Sequence, residues 1–260
     1  MNDTKPIPLD IETTTTPLVL DVDGTFLRTD LLYETFWAGL GQAPVATIRA
    51  CFAHLTDPAR LKAELVALTE VRTDLMPVNP AVMEAATHAK EEGREVILAS
   101  ASNEKLVRRL AADHDLSPRV FASTATRNLK GTRKADALVD AFGDGGFDYA
   151  GNDTVDREVW IHANRALVVD DAASARAMEA KGKPVSRLDG GWSPRGVIKA
   201  LRPHQWVKNV LLFVPVLAAH DFRLETLALV LLGMLAFSFG ASSIYVVNDL
   251  LDLEADRLHV

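Results

Sequence analysis

From Thr226 to Asn248 no side chain carries a charge, and Leu, Ala, Val, Met, Phe and Ile dominate the run. As a helix rising 1.5 Å per residue, it is long enough to cross a hydrocarbon layer of about 30 Å. Buried helices of soluble domains seldom run past about 14 residues without a charge, so a membrane helix is the expected structure. Before it, Trp206 to Ala219 is a shorter apolar stretch that carries Lys208 and is broken by Pro215. Trp and Lys favour the membrane interface and Pro is tolerated in membrane helices, so the two stretches together predict a transmembrane helical hairpin. Arg187, Arg195, Lys199, Arg202 and Lys208 cluster before or at its opening, whereas the turn offers His220 and Arg223. That bias places the long N-terminal part in the cytoplasm and the hairpin in the cell inner membrane.

The rest of the chain has a different character. Of 260 residues, 48% are hydrophobic and 24% charged, a balance that supports a packed core and excludes disorder. The formal net charge of -7 argues against nucleic acid as a partner. A single cysteine, Cys51, excludes an internal disulfide and suits a reducing cytosol. Residues 1–16 are polar, with a Thr run and no signal-peptide pattern, and are expected to form a flexible leader. Four short apolar runs, Pro17 to Val22, Glu95 to Ser100, Phe147 to Ala150 and Arg165 to Val169, predict buried strands. Helical patterns at Ala81 to Glu92 and Asn103 to Asp113 lie between them, and strands alternating with helices imply an α/β, doubly wound parallel sheet over 17–188. Residues 31–78 interrupt the alternation with Leu- and Ala-rich helical sequence and predict a helical cap. A Gly- and Pro-containing linker covers about 189–200, and the membrane segment covers 201–260.

The first apolar run delivers Asp21-Val22-Asp23-Gly24-Thr25. Two carboxylates one residue apart share a direction at a strand's carboxyl end, where open α/β sheets bind ligands. One can attack phosphorus and hold a cation; the other can protonate the leaving oxygen and then activate water. This pentapeptide resembles the first motif of the haloacid dehalogenase (HAD) superfamily of phosphotransferases. The resemblance continues in order through Ser100, with Ser102 as reserve, then Lys130, with Lys134 as competitor, and Gly151-Asn152-Asp153-Thr154-Val155-Asp156. It implies a HAD-like fold, hydrolysis of a small phosphorylated substrate, catalysis by Asp21, Asp23, Ser100 and Lys130, and Mg²⁺ held by Asp21, Asp23, Asn152 and Asp156. Asn152 stands where the family has a carboxylate, so it supplies an oxygen without charge, and Asp153 lies one residue off register. The cap occupies the place of the one in relatives resembling phosphoserine phosphatase.

Directly after the uncharged run, Asp249, Asp252 and Asp256 are spaced three and four apart, which on a helix puts them on one face. Like charges gathered there call for a cation, and Mg²⁺ bridging to a pyrophosphate fits. With Asn248 they resemble the first aspartate-rich motif of the UbiA superfamily of membrane prenyltransferases. Leu201 to Asn209 is similar to the opening of the branch that transfers phosphoribose to polyprenyl phosphate, in which a HAD-like domain can precede the membrane domain. The resemblance implies a polyprenyl phosphate lipid as partner of the full-length relative. The family's second aspartate-rich motif and further membrane helices are not found, so the chain is expected to be a truncated form with an inactive transferase part. The function expected is therefore a Mg²⁺-dependent phosphomonoester hydrolase attached to the first part of such a transferase. Its substrate would be the transferase's product or a related prenyl-linked sugar. The rival reading is a catalytically weak or inactive HAD module that regulates the transferase or helps it fold.

Overall fold

The computed structural model describes residues 16–191 and 193–258, so most of the expected leader lies outside the described residues. Six strands form one parallel sheet: β1 (Leu18–Asp21), β2 (Val96–Asn103), β3 (Val120–Ser123), β4 (Asp148–Gly151), β5 (Ala166–Val169) and β6 (Val185–Leu188). Their order is β3-β2-β1-β4-β5-β6, with Leu18 beside Val96 on one neighbour and beside Asp148 on the other. Three helices follow β1: α1 (Leu31–Gln42), α2 (Pro44–Ala53) and α3 (Pro58–Leu68). They form the cap. The sheet is then wrapped by α4 (Pro80–Glu91), α5 (Glu104–Asp113), α6 (Thr132–Phe142), α7 (Arg157–Trp160) and α8 (Ala172–Ala180).

The two-residue period of a strand divides the core into two layers. Leu18 and Leu20 of β1 join Val96 and Leu98 of β2 under Val82, Ala86, Leu106 and Leu110 of α4 and α5. Val19, Ile97 and Ala99 point the other way, toward Leu138, Trp160 and Met178 of α6, α7 and α8. Each such large apolar side chain contributes about 1.5–3 kcal/mol when fully buried. Because β1 is covered on both faces, all four of its residues are buried, which explains why Leu18, Val19 and Leu20 stand out as an apolar run before Asp21.

The cap leaves the sheet through a closed neck. Leu27 bridges Val78, Arg28 N donates to Pro77 O at 2.8 Å, and Asn79 N donates to Phe26 O at 2.8 Å. Asp30 caps α1 by accepting from the amides of Leu32 and Tyr33.

Beyond the sheet come α9 (Pro194–Ala200), a 3₁₀ segment (Pro203–Phe213), α10 (Val214–Ala219), α11 (Leu224–Leu251) and α12 (Leu253–Leu258). Among the described residues, α11 is the helix long and apolar enough to cross a membrane, with 28 residues and a mean hydropathy of 2.1. The first arm of the expected hairpin is different. Pro203 and Pro215 break it into a 3₁₀ stretch and a six-residue helix, so it lies along α11 without membrane-spanning length. Ser238 and Ser242, one turn apart on α11, hold it: Asn209 Nδ2 donates to Ser238 Oγ at 2.8 Å and Trp206 Nε1 to Ser242 Oγ at 3.0 Å. At the far end, Arg257 of α12 grips the buried Glu34 of α1 through two bonds of 3.0 and 2.8 Å.

Candidate active site

The chain turns sharply at the carboxyl end of β1. Phe26 N donates to Asp21 O and Leu27 N to Val22 O, and Gly24 takes φ +77°, a conformation that suits glycine. A side chain at position 24 would also collide with the amide of Asn152. The turn leaves Asp21 and Asp23 facing a pocket of about 210 Å³, with Thr25 buried behind them.

Asp23 is held by three hydrogen bonds. Its Oδ1 accepts from Leu31 N, the first residue of α1, at 2.8 Å. Its Oδ2 accepts from both Ser100 Oγ and Ser102 Oγ at 2.9 Å. Two residues apart on β2, these serines share a face, so the reserve candidate and the preferred one serve the same carboxylate. The Ser102 amide donates in turn to Ser100 Oγ at 2.8 Å.

The lysine beside Asp21 is Lys134 rather than Lys130, and the sequence expectation is corrected here. Lys134 Nζ lies 2.6 Å from Asp21 Oδ1, 2.9 Å from Tyr149 Oη and 3.8 Å from Asp156 Oδ1. The cause is local: Gly131, at φ +60°, precedes α6, so Lys130 stays in the loop at the pocket wall while Lys134, in the first turn, faces β1 and β4. Lys62 of the cap reaches the same pocket and donates to Ala101 O at 2.6 Å.

Burial pushes the Asp21 carboxyl up to about 7; Lys134 opposes the shift, while Asp156 and Asp23 add to it. Burial also works against the charge of Lys134, but Asp21 and Asp156 outweigh it and hold its ammonium above the ordinary value. Tyr149, which sequence reasoning missed, is raised well above its usual range by burial and by the same two carboxylates. It donates to Asp156 Oδ1 at 2.9 Å, linking lysine and loop. An inward tyrosine on a buried strand carries no sequence signal that distinguishes it from core.

The expected metal set is only partly assembled. Thr25 Oγ1 lies 3.3 Å from Asp21 Oδ2 and 3.1 Å from Asn152 Oδ1, so these two oxygens converge. Asp156 instead anchors its own loop: its Oδ2 accepts from the amides of Asn152 and Asp153, both at 3.1 Å. Asp23 is turned toward the serines. Asp153 is exposed and caps the following turn. Among the described residues, no group of three or more His, Cys, Asp or Glu side chains is arranged to hold a metal. The converging donors are nonetheless all oxygen, as a hard divalent cation requires. Asp21, Asp23, Asp30, Asp153 and Asp156 line a pocket that has only Lys62, Lys130 and Lys134 in return. Asp21 and Asn152 therefore fit a Mg²⁺ ion.

The aspartate-rich segment also departs from expectation. α11 ends at Leu251, and Asp252 adopts a non-helical φ of -104° and ψ of 16°, so Asp249, Asp252 and Asp256 do not share one continuous helix face. Asp249 is paired with Arg202 at 2.8 Å, Asn248 Nδ2 donates to Asp252 Oδ2 at 3.1 Å, and Asp256 is exposed on α12.

A carboxylate pair at the end of the first strand of a doubly wound parallel sheet, beneath a helical cap, defines a HAD-like α/β fold. It is joined to a segment similar to UbiA-type transferases. No family model matches the chain. The uncharacterized protein y4nM of Sinorhizobium fredii is 31% identical over 266 residues, which cover 99% of this chain and 51% of that protein. The decaprenyl-phosphate phosphoribosyltransferase of Corynebacterium glutamicum is 55% identical over 67 residues, covering 25% of this chain and 20% of that enzyme. The chain thus spans about half the length of the first relative and about a fifth of the second. Among solved structures, a protein of unknown function from Bordetella pertussis superposes with a TM-score of 0.50 and 14% identity, covering 66% of this chain and 98% of the other. The HAD family hydrolase t0658 of Salmonella enterica serovar Typhi gives a TM-score of 0.45 and 19% identity, covering 62% and 64%.

Proposed function

We propose that the α/β part hydrolyses phosphate monoesters through a phospho-aspartate on Asp21. The observation that carries this reading is the opposed placement of two aspartates on one turn: Asp21 against Lys134, and Asp23 against Ser100 and Ser102. Asp21 attacks phosphorus as the ester P–O bond breaks, and Asp23 gives its proton to the departing oxygen. Asp23 then takes a proton from water, which attacks the phospho-aspartate and releases inorganic phosphate. Lys134 holds Asp21 in place and balances charge on the phosphoryl oxygens. A Mg²⁺ ion held by Asp21 and Asn152 would supply further positive charge to those oxygens and favour the ionised form of Asp21.

The C-terminal part attaches this hydrolase to a membrane through α11, with the α/β part on the cytoplasmic side of the inner membrane, as the basic residues before it suggest. Its similarity to decaprenyl-phosphate phosphoribosyltransferases supports polyprenyl phosphate as the lipid handled beside it. One experiment tests the core of this reading: p-nitrophenyl phosphate hydrolysis by the full chain, with and without Mg²⁺. We expect Mg²⁺-dependent turnover that Asp21→Asn abolishes. Equal turnover in the variant would exclude the mechanism.

A further inference from the structure

Two cavities of opposite character share Asp30, the residue that caps α1: the polar pocket over Asp21, and an open groove of about 440 Å³ among the cap helices. Leu32, Tyr33 and Phe36 of α1, Cys51 of α2, and Leu61 and Leu65 of α3 line the groove. Its volume lies within the range of about 300–1,000 Å³ usual for small-molecule sites. Asp30 stands at the edge of both cavities, its carboxylate tied to the amides of Leu32 and Tyr33. The one charged residue of the groove's lining is therefore at the end that adjoins the phosphate pocket.

The apolar surface continues outward. Val45, Ile48 and Phe52 recur at three- and four-residue spacing along α2 and are 80%, 48% and 73% exposed. A soluble enzyme acting on a small polar ester has no use for such a surface beside its active site. An amphiphile with a phosphate head and a long apolar chain matches both cavities at once. Its head meets Lys62, Lys130 and Lys134, while its chain passes Asp30 into the groove and leaves along α2. The membrane-length α11 in the same chain puts such a substrate within reach.

We propose that the cap groove binds the isoprenoid chain of a lipid-linked phosphate monoester, so that the substrates are prenyl-bearing esters rather than water-soluble ones. The proposal rests on the phosphomonoesterase reading above and assigns its substrate class.

Cys51, the single cysteine, reports occupancy of the groove without any turnover. The full chain in phosphatidylcholine nanodiscs is treated with N-ethylmaleimide in the presence of farnesyl phosphate, dodecyl phosphate or ribose 5-phosphate. At ten times its Kd, farnesyl phosphate should slow alkylation of Cys51 about tenfold, and ribose 5-phosphate should not. Tyr33→Glu, at a half-exposed site that tolerates the change, and Leu61→Gln should each remove the protection. Each should also lower kcat/KM for farnesyl phosphate relative to ribose 5-phosphate by about tenfold. Equal protection by ribose 5-phosphate, or none by farnesyl phosphate, overturns the proposal. Equal protection by dodecyl phosphate overturns its isoprenoid part. Turnover of p-nitrophenyl phosphate decides the phosphatase reading separately: hydrolysis without protection removes the groove and keeps the reading, and protection without hydrolysis does the reverse.

Discussion

Replacing Asp21 by Asn should make the stability of the metal-free protein less sensitive to pH between 5 and 8 while abolishing its turnover. The substitution keeps the shape of the side chain and removes its ionisation. In the folded protein burial holds the carboxyl near pKa 7, against an ordinary value of 3.8. The proton is thus bound more tightly in the folded state. Asp21 therefore contributes stability fully below about pH 3.8, and that contribution is lost as pH rises through about 7. At 1.36 kcal/mol per pH unit the full span is about 4 kcal/mol, of which about 2–3 kcal/mol falls between pH 5 and pH 8. Lys134 is ionised in both states across this window and adds no slope. The assay is urea unfolding of the full chain in detergent with EDTA, followed by near-ultraviolet circular dichroism at both pH values. Going from pH 5 to pH 8, Asp21→Asn should gain about 2 kcal/mol on the unsubstituted protein. Mg²⁺ should stabilise the unsubstituted protein more at pH 8 than at pH 5, and the variant little at either. A stability difference between the two proteins that does not change with pH would refute the reasoning.

Three further outcomes follow from the same geometry. Lys134→Met should cost about 3 kcal/mol in urea unfolding, because it leaves Asp21 and Asp156 buried without their cation, and should lower kcat at least a hundredfold; Lys130→Met should leave stability within about 0.5 kcal/mol. Asn152→Asp should lower the half-saturating Mg²⁺ concentration in a turnover titration, since it places a charged oxygen where Thr25 now bridges to Asp21; an unchanged value would remove Asn152 from the metal site. Glu34→Gln should weaken the hold on Arg257 and raise amide exchange across 253–258 by about tenfold, equivalent to about 1.4 kcal/mol, as read by mass spectrometry.

The four strands visible in the sequence are the inner ones, β2, β1, β4 and β5. They are apolar on both faces because helices cover both. The two that escaped notice, β3 and β6, are the sheet edges, where Phe121 and Ala122 are half-buried and Arg187 is exposed. β3 offers only Val120 to Ala122 as an apolar stretch, and β6 mixes Val185 and Leu188 with Ser186 and Arg187, so neither half-covered strand stands out. The same limit applies within the site. Motif order singled out Asp21, Asp23 and Ser100, which the fold brings together, but spacing could not decide which of Lys130 and Lys134 lies beside Asp21, because that depends on where Gly131 lets α6 begin. Nor could spacing foresee that α11 ends at Leu251. The expectation of one shared face for Asp249, Asp252 and Asp256 assumed an unbroken helix, and the chain bends at the middle aspartate.

α1 is where these parts meet. Its first amide fixes Asp23, and Asp30 before it stands between the polar pocket and the groove. At 100° per residue, Tyr33 and Phe36 turn toward the groove while Glu34 and Ala38 turn toward α12. Glu34 also accepts from Thr29 Oγ1 at 2.6 Å, and the backbone oxygen of Thr29 accepts from Gly24 N at 3.1 Å. Arg257 is thereby connected to the turn that carries Asp21 and Asp23 through two residues. A movement of α1 that widened the pocket for a substrate must either break the Arg257–Glu34 pair or carry α12 with it. The carboxylates of the aspartate-rich segment and the turn that carries Asp21 and Asp23 are therefore not mechanically independent, although they belong to parts of the chain that resemble different enzymes.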